Sequence, residues 1–287
     1  MTICKITRYF LIVFIVSSSL FADAQSPKLF QGAPGMVSYT YRKYFEKDVP
    51  STLDVIKKLG ITDIEFSNLF GQTAGQLRKY IDEKGLKCSS FGVSYDDLVN
   101  KTAEVAQNAK TLGAEYVRVA WIPHKGEMTL EVMDTAIANF NKVGKILKDQ
   151  YGLTFIYHNH GYEFQPYKDG TLYDYLMQQT DPKYVSFEMD ILWIFFPGQD
   201  PTVLLNKYGG RYKTLHLKDL RNGVKGDMSG GTSQENDVAL GTGQINIPAV
   251  IRAAKKAGIE HYYIEDESSN VMTQVPQSIA YLKSLEE

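Results

Sequence analysis

A strand-like run followed by a helix-like run, repeated eight times without interruption, constrains this chain more than any other feature. Short, β-branched and aromatic stretches read as strands at residues 35–41, 61–66, 87–93, 116–121, 153–158, 185–190, 214–218 and 262–265. Apolar residues recur at helical spacing over 52–59, 73–84, 96–112, 129–151, 172–179, 201–208, 248–257 and 275–285. Gly60, Gly85, Gly113 and Gly258 stand where four of those helices must stop, since glycine closes a helix in the left-handed conformation without Cβ strain. Strands joined through helices return in the same direction and pair in parallel. An open doubly wound sheet would place a glycine-rich phosphate loop after its first strand, but Tyr39-Thr40-Tyr41-Arg42 stands there. No Pro/Ser-rich linker divides the chain, so a single α/β domain, a (β/α)8 TIM barrel, is the expected fold.

The repeat starts late. Ahead of it, Lys5 and Arg8 precede the apolar run YFLIVFIVSSSLF, which ends at Ala22-Asp23-Ala24. A basic start, a short apolar core and a small-x-small cleavage pattern read as a secretory signal peptide over 1–24. The expected mature chain is 25–287, secreted or periplasmic, with no stable membrane association after cleavage. Its length, 287 less 24, is 263 residues and suits one barrel of about 250. The 31 basic side chains less Lys5 and Arg8, and the 33 acidic ones less Asp23, leave a net charge of −3. That balance excludes nucleic acid as the expected partner. The mature chain keeps Cys88 alone, so no intrachain disulfide forms and a large core must supply the stability. The sequence leaves the oligomeric state open.

Barrel chemistry collects at the C-terminal ends of the strands. Trp121 and His124 follow strand four; His158, His160 and Glu163 close strand five; Glu188 and Asp190 close strand six. His216, Lys218 and Asp219 close strand seven, and Glu265, Asp266 and Glu267 close strand eight. Four of the five histidines therefore fall at one rim, and His261 falls at the other. Imidazoles and carboxylates converging from strands five to eight suit one divalent cation, Mn²⁺, Co²⁺, Zn²⁺ or Mg²⁺. A lone rim His is commonly a hydrogen-bonded structural group and a lone Asp a helix cap; several on adjacent strand ends favour a metal site.

The segments YHNHGYEF, FEMDILWIFFPGQDP, LHLKDL, LGTGQINIPAVI and YYIEDE, spread over 157–267, resemble the sugar phosphate isomerase/epimerase family, the xylose isomerase-like barrels also related to endonuclease IV. The resemblance implies a metal held by Glu, Asp, His and Glu from successive late strands. Asp190 matches the Asp, His216 the His and Glu265 the last Glu. Strand-end alignment puts His158 at the first Glu position; Glu163, five residues on, is the favoured ligand, with His158 and His160 beside it. The implied chemistry is proton abstraction next to a carbonyl, through an enediolate, with Glu265 and Glu163 as candidate bases. Lys218 is placed to neutralise an oxyanion, and Trp121, His124 and Trp193 to hold a sugar. Export favours an unphosphorylated sugar or keto-sugar. Isomerisation or epimerisation is the expected outcome. The alternatives are β-elimination from a 3-keto-glycoside at the same site, or a carbohydrate-binding barrel without catalysis. A phosphodiesterase like endonuclease IV needs more metal ligands and a basic face.

Overall fold

The computed structural model describes residues 27–287; the expected signal peptide lies outside the described residues. Eight parallel strands close into a barrel: β1 Gly35–Val37, β2 Asp63–Phe66, β3 Lys87–Gly92, β4 Tyr116–Val119, β5 Thr154–His158, β6 Val185–Asp190, β7 Tyr212–Leu217 and β8 His261–Ile264. Each pairs with its neighbours in sequence, and β1 pairs with β8 to complete the ring. The helices cover the outside, packing apolar faces such as Met133, Ile137 and Phe140 onto outward strand residues such as Phe155 and Tyr157. Among the described residues no helix is long and apolar enough to cross a membrane.

Strand alternation sends every second side chain into the barrel. Here many inward positions are polar: Glu65, Ser90, Arg118, His158, Glu188, Asp190, Thr214, His216 and Glu265 are all buried. Buried charge costs several kcal/mol per ion unless it is paired, and these groups pair with one another. Strand register decides which ones meet. His158 stands beside Glu188 across β5–β6, and Asp190 beside His216 across β6–β7. Two glycines make room for the filling. A Cβ on Gly35 would lie 2.6 Å from the Tyr263 ring, and one on Gly92 would lie 2.7 Å from the Arg118 guanidinium.

Several elements differ from the sequence expectation. β1 stops at Val37, because Ser38 turns inward to bond Ser67 and the chain continues as a tight turn through Tyr41. The helix expected over 96–112 is two, Tyr95–Asn100 and Thr102–Leu112, broken at Lys101 where φ is −130°. A short helix, Ile191–Phe195, follows β6 directly, capped by the Asp190 side chain. Residues 221–244, a polar and Gly-rich stretch, are tied to the end of β7. Asp237–Val238 pairs with Asp219–Leu220, and the Asp219 carboxylate accepts the N–H groups of Leu220, Gly241, Gly243 and Ile245.

Candidate active site

His158, Asp190, His216 and Glu265 bring one donor atom each to within 4.8 Å of one another, all buried at the C-terminal end of the barrel. His216 Nδ1 lies 2.7 Å from Glu265 Oε2, 3.2 Å from His158 Nε2 and 3.8 Å from Asp190 Oδ2. Asp190 Oδ1 accepts the Trp193 N–H at 3.0 Å, so its other oxygen is left for the cluster; that Oδ2 is buried and has no hydrogen-bond partner. An orphaned carboxylate oxygen facing two imidazoles and a second carboxylate fits a divalent cation, whose ligands stand about 2.0–2.2 Å from the ion. Two oxygens and two nitrogens suit Zn²⁺, Mn²⁺ or Co²⁺ better than an all-oxygen Mg²⁺ site.

The electrostatics of the unloaded cluster agree. Burial alone would raise the pKa of Asp190, but the His158 and His216 imidazoles, 3.5 and 3.8 Å away, and the Lys218 ammonium hold it well below the usual carboxylate range. Burial would lower the His216 pKa, yet Glu188, Glu265 and Glu65 raise it well above the ordinary imidazole value. Three carboxylates that favour positive charge on His216 would favour a cation in the cluster as well.

Lys218 is 1 % exposed, with its ammonium 2.5 Å from Glu267, 3.6 Å from Asp237 and 3.8 Å from Glu265. It also lies 5.4 Å from the centre of the Trp193 ring. Burial pushes the Asp237 carboxyl up to about 8, even though Lys218 lowers it.

Above the cluster opens a cavity of about 530 Å³. One wall is aromatic: the ring of Trp193 stacks on His160 at 5.6 Å, and Trp121 meets the same imidazole edge-on at 5.4 Å. Burial holds the His160 pKa well below the ordinary value, and its Nδ1 is without a partner. Among the described residues Arg118 is the cation lining this space, and it is committed to Glu65 and Glu188. Asp96, Asp237, Glu265 and Glu267 line it as well.

The expected site residues thus separate into groups. Asp190, His216 and Glu265 meet as expected, and the fourth position in the cluster belongs to His158. Glu163 is not there. Its carboxylate is turned back under its own loop, accepting the Tyr157 hydroxyl at 2.6 Å, the His160 N–H at 3.0 Å and the Gly161 N–H at 2.7 Å. Burial raises its pKa to about 7 against those bonds. A glutamate five residues past the strand end folds back to hold the turn, in which Gly161 has φ of 118°, and so it aims His158 and His160. His124 likewise misses the cavity wall; its ring stacks on Trp121 at 5.1 Å and its Nδ1 holds the Ile122 carbonyl. Sequence reasoning passed over Glu65, Arg118 and Asp237, and placed Glu267 at the rim without giving it a role. The first two had a visible signal, a charge at an inward position of an otherwise apolar strand (DIEF, YVRV).

The sequence profile of the xylose isomerase-like TIM barrels matches residues 53–285. The chain belongs to that family. It is 32% identical over 148 residues to the inosose dehydratase of Geobacillus thermodenitrificans strain NG80-2, an alignment covering 49% of this chain and 48% of that enzyme. The chain thus spans about half the length of that relative. A sugar phosphate isomerase/epimerase crystal structure from Parabacteroides distasonis ATCC 8503 superposes with a TM-score of 0.72 at 23% identity, covering 88% of this chain and 97% of that one. The IolI protein, solved with a zinc atom, superposes at 0.67 with 14% identity over 88% and 95% of the two chains. At those identities both establish the barrel alone.

Proposed function

We propose that this protein abstracts a proton next to the carbonyl of an unphosphorylated sugar or keto-sugar, using one divalent cation held by His158, Asp190, His216 and Glu265. The observation that carries the reading is the cluster itself, with its unpartnered Asp190 oxygen and with His158, His216 and Glu265 lining a ring-sized cavity. A bound cation would supply polarisation of the carbonyl and of the neighbouring hydroxyl. Glu265 is the base; Lys218 and His216 keep it ionised against burial. Lys218 lends positive charge to the side of the site where negative charge develops on the substrate. His160, held neutral by burial and with a free ring nitrogen, is placed to accept a proton or a hydrogen bond from the substrate. Trp121 and Trp193 offer faces for sugar C–H groups. Away from the proposed metal, a phosphate ester would meet the Asp96 and Glu267 carboxylates and no uncommitted cationic side chain in this cavity, which supports an uncharged substrate.

The fate of the enediolate has two readings. Epimerisation needs a second base on the opposite face, and the position the family resemblance gives to a glutamate holds His158. β-Elimination needs no second base, since the proton that Glu265 takes from carbon can pass to the departing oxygen, and the similarity to inosose dehydratase favours that second reading. Incubation with uncharged keto-sugars, keto-polyols and keto-glycosides in heavy water tests both. Deuterium uptake without loss of a group is expected of an epimerase or isomerase; release of water or aglycone is expected of a lyase. Measurable binding with neither outcome would leave a carbohydrate-binding barrel. The expected export is tested separately: protein recovered from the periplasm or medium of an exporting host should begin at Gln25, and a retained Met1 would refute the cleavage.

A further inference from the structure

His216 is held from both sides. Its Nδ1 faces Glu265, His158 and Asp190, the donors of the proposed metal site. Its Nε2 lies 2.9 Å from Glu65 Oε1 and 3.1 Å from Glu188 Oε2. Glu65 and Glu188 come from β2 and β6, are fully buried, and form with His216 a second group of closely spaced donors. That second group already contains a cation. Arg118, from β4, places Nε 2.8 Å from Glu65 Oε1 and 3.5 Å from Glu188 Oε2. Ser90 Oγ donates to the other Glu65 oxygen at 2.5 Å, and Thr214 Oγ1 donates to Glu188 Oε1 at 2.6 Å. Both carboxylates are therefore fixed in direction, and Arg118 offsets one of their two negative charges.

We infer that Glu65, Glu188 and Arg118 form a cradle that keeps the proton of His216 on Nε2 and so presents the Nδ1 lone pair to the cation. The inference rests on the metal reading given above. An ionised carboxylate can only accept, so the ring nitrogen that faces two of them must carry hydrogen. A neutral imidazole with Nε2–H has its lone pair on Nδ1, the atom that faces the cluster. Partners of this kind, which touch a ligand and not the metal, alter metal affinity by about 10–100-fold when removed. Arg118 makes the arrangement affordable. Two carboxylates buried without it would compete with Glu265 and Asp190 for any cation. With it, the second donor group is closed and one ion per chain is expected. Glu65, Glu188 and Arg118 are positioning residues, since they act through His216.

The test uses the full mature chain, labelled with ¹⁵N-histidine and loaded with zinc. Long-range ¹H–¹⁵N correlation spectra should show His216 bound to zinc through Nδ1 with hydrogen on Nε2, at one zinc per chain. Ligation through Nε2 overturns the inference. Zinc affinity is then measured by competition with a chromophoric chelator for the wild type and for Glu65→Gln. The amide turns one acceptor oxygen into a donor, and affinity should fall about 10–100-fold while the circular dichroism of the barrel is kept. Equal affinity in that variant overturns the inference and leaves the metal site standing. A wild type that binds no zinc, manganese or cobalt fails earlier, at the metal reading, and takes the inference with it. Should Glu65→Gln not fold, the wild-type spectrum decides by itself.

Discussion

Asp190→Asn is expected to yield a folded barrel that loses its metal on dialysis and turns over at less than a thousandth of the wild-type rate. Asparagine keeps an oxygen for the Trp193 N–H, so the cap of helix Ile191–Phe195 survives and little stability is lost. What goes is the unpartnered Oδ2, replaced by an amide nitrogen with no lone pair to give. Removing a direct ligand should exceed the roughly 10–100-fold loss seen when a supporting residue is removed. Glu163→Gln makes the contrasting case. Its carboxylate collects three donors, and an amide in its place turns one of its acceptors into a donor facing them. The cost is about 1–3 kcal/mol, or a melting temperature lower by roughly 5 °C for a chain of this size, with metal retained. Elemental analysis after dialysis and calorimetry separate the two variants. Metal lost from Glu163→Gln and kept by Asp190→Asn would return the fourth ligand position to Glu163 and break the cluster assignment.

The barrel was legible because its evidence is redundant. Eight strand–helix pairs each carry their own periodicity, and glycine stops repeat the message at Gly60, Gly85, Gly113 and Gly258. Asp190, His216 and Glu265 were legible for a related reason: each sits at or just past a strand end, where parity and position fix the direction of the side chain. Glu163 was misplaced because it lies beyond the strand, where the chain turns through Gly161 and parity no longer applies. The break at Lys101 and the helix Ile191–Phe195 fall between strong periodic stretches, where one cap or one change of ψ decides the outcome. The cradle of Glu65, Arg118 and Glu188 illustrates a different limit. Glu65 is 53 residues from Arg118 and 151 from His216. Each reads alone as an unexplained charge in a strand. Only closure of the ring brings the three charges into one ion-paired unit around His216.

Glu265→Gln is expected to separate catalysis from binding. Glu265 follows β8 and is held by its backbone N–H donating to the Leu217 carbonyl, so the substitution moves no strand. In the wild type, burial raises the pKa of its carboxylate, but Lys218 and His216 outweigh that and hold it well below the usual carboxylate range. It is therefore ionised at any pH at which the barrel would work, and no loss of activity through its protonation is expected near neutrality. Glutamine keeps the shape and one carbonyl oxygen for the cation and removes the basicity. General-base contributions are about 10²–10⁴-fold, so kcat should fall by about that factor in enzyme saturated with metal. Substrate affinity, supplied by the aromatic wall and the remaining ligands, should change far less, and a loss confined to kcat is the signature of a group that acts in the transition state. Deuterium uptake from heavy water must fall in parallel, because the exchange is the same proton transfer. If metal-saturated Glu265→Gln exchanges deuterium at the wild-type rate, the base lies elsewhere. His160 is then the group to replace, since its free Nδ1 lies at the same cavity on the opposite, aromatic side.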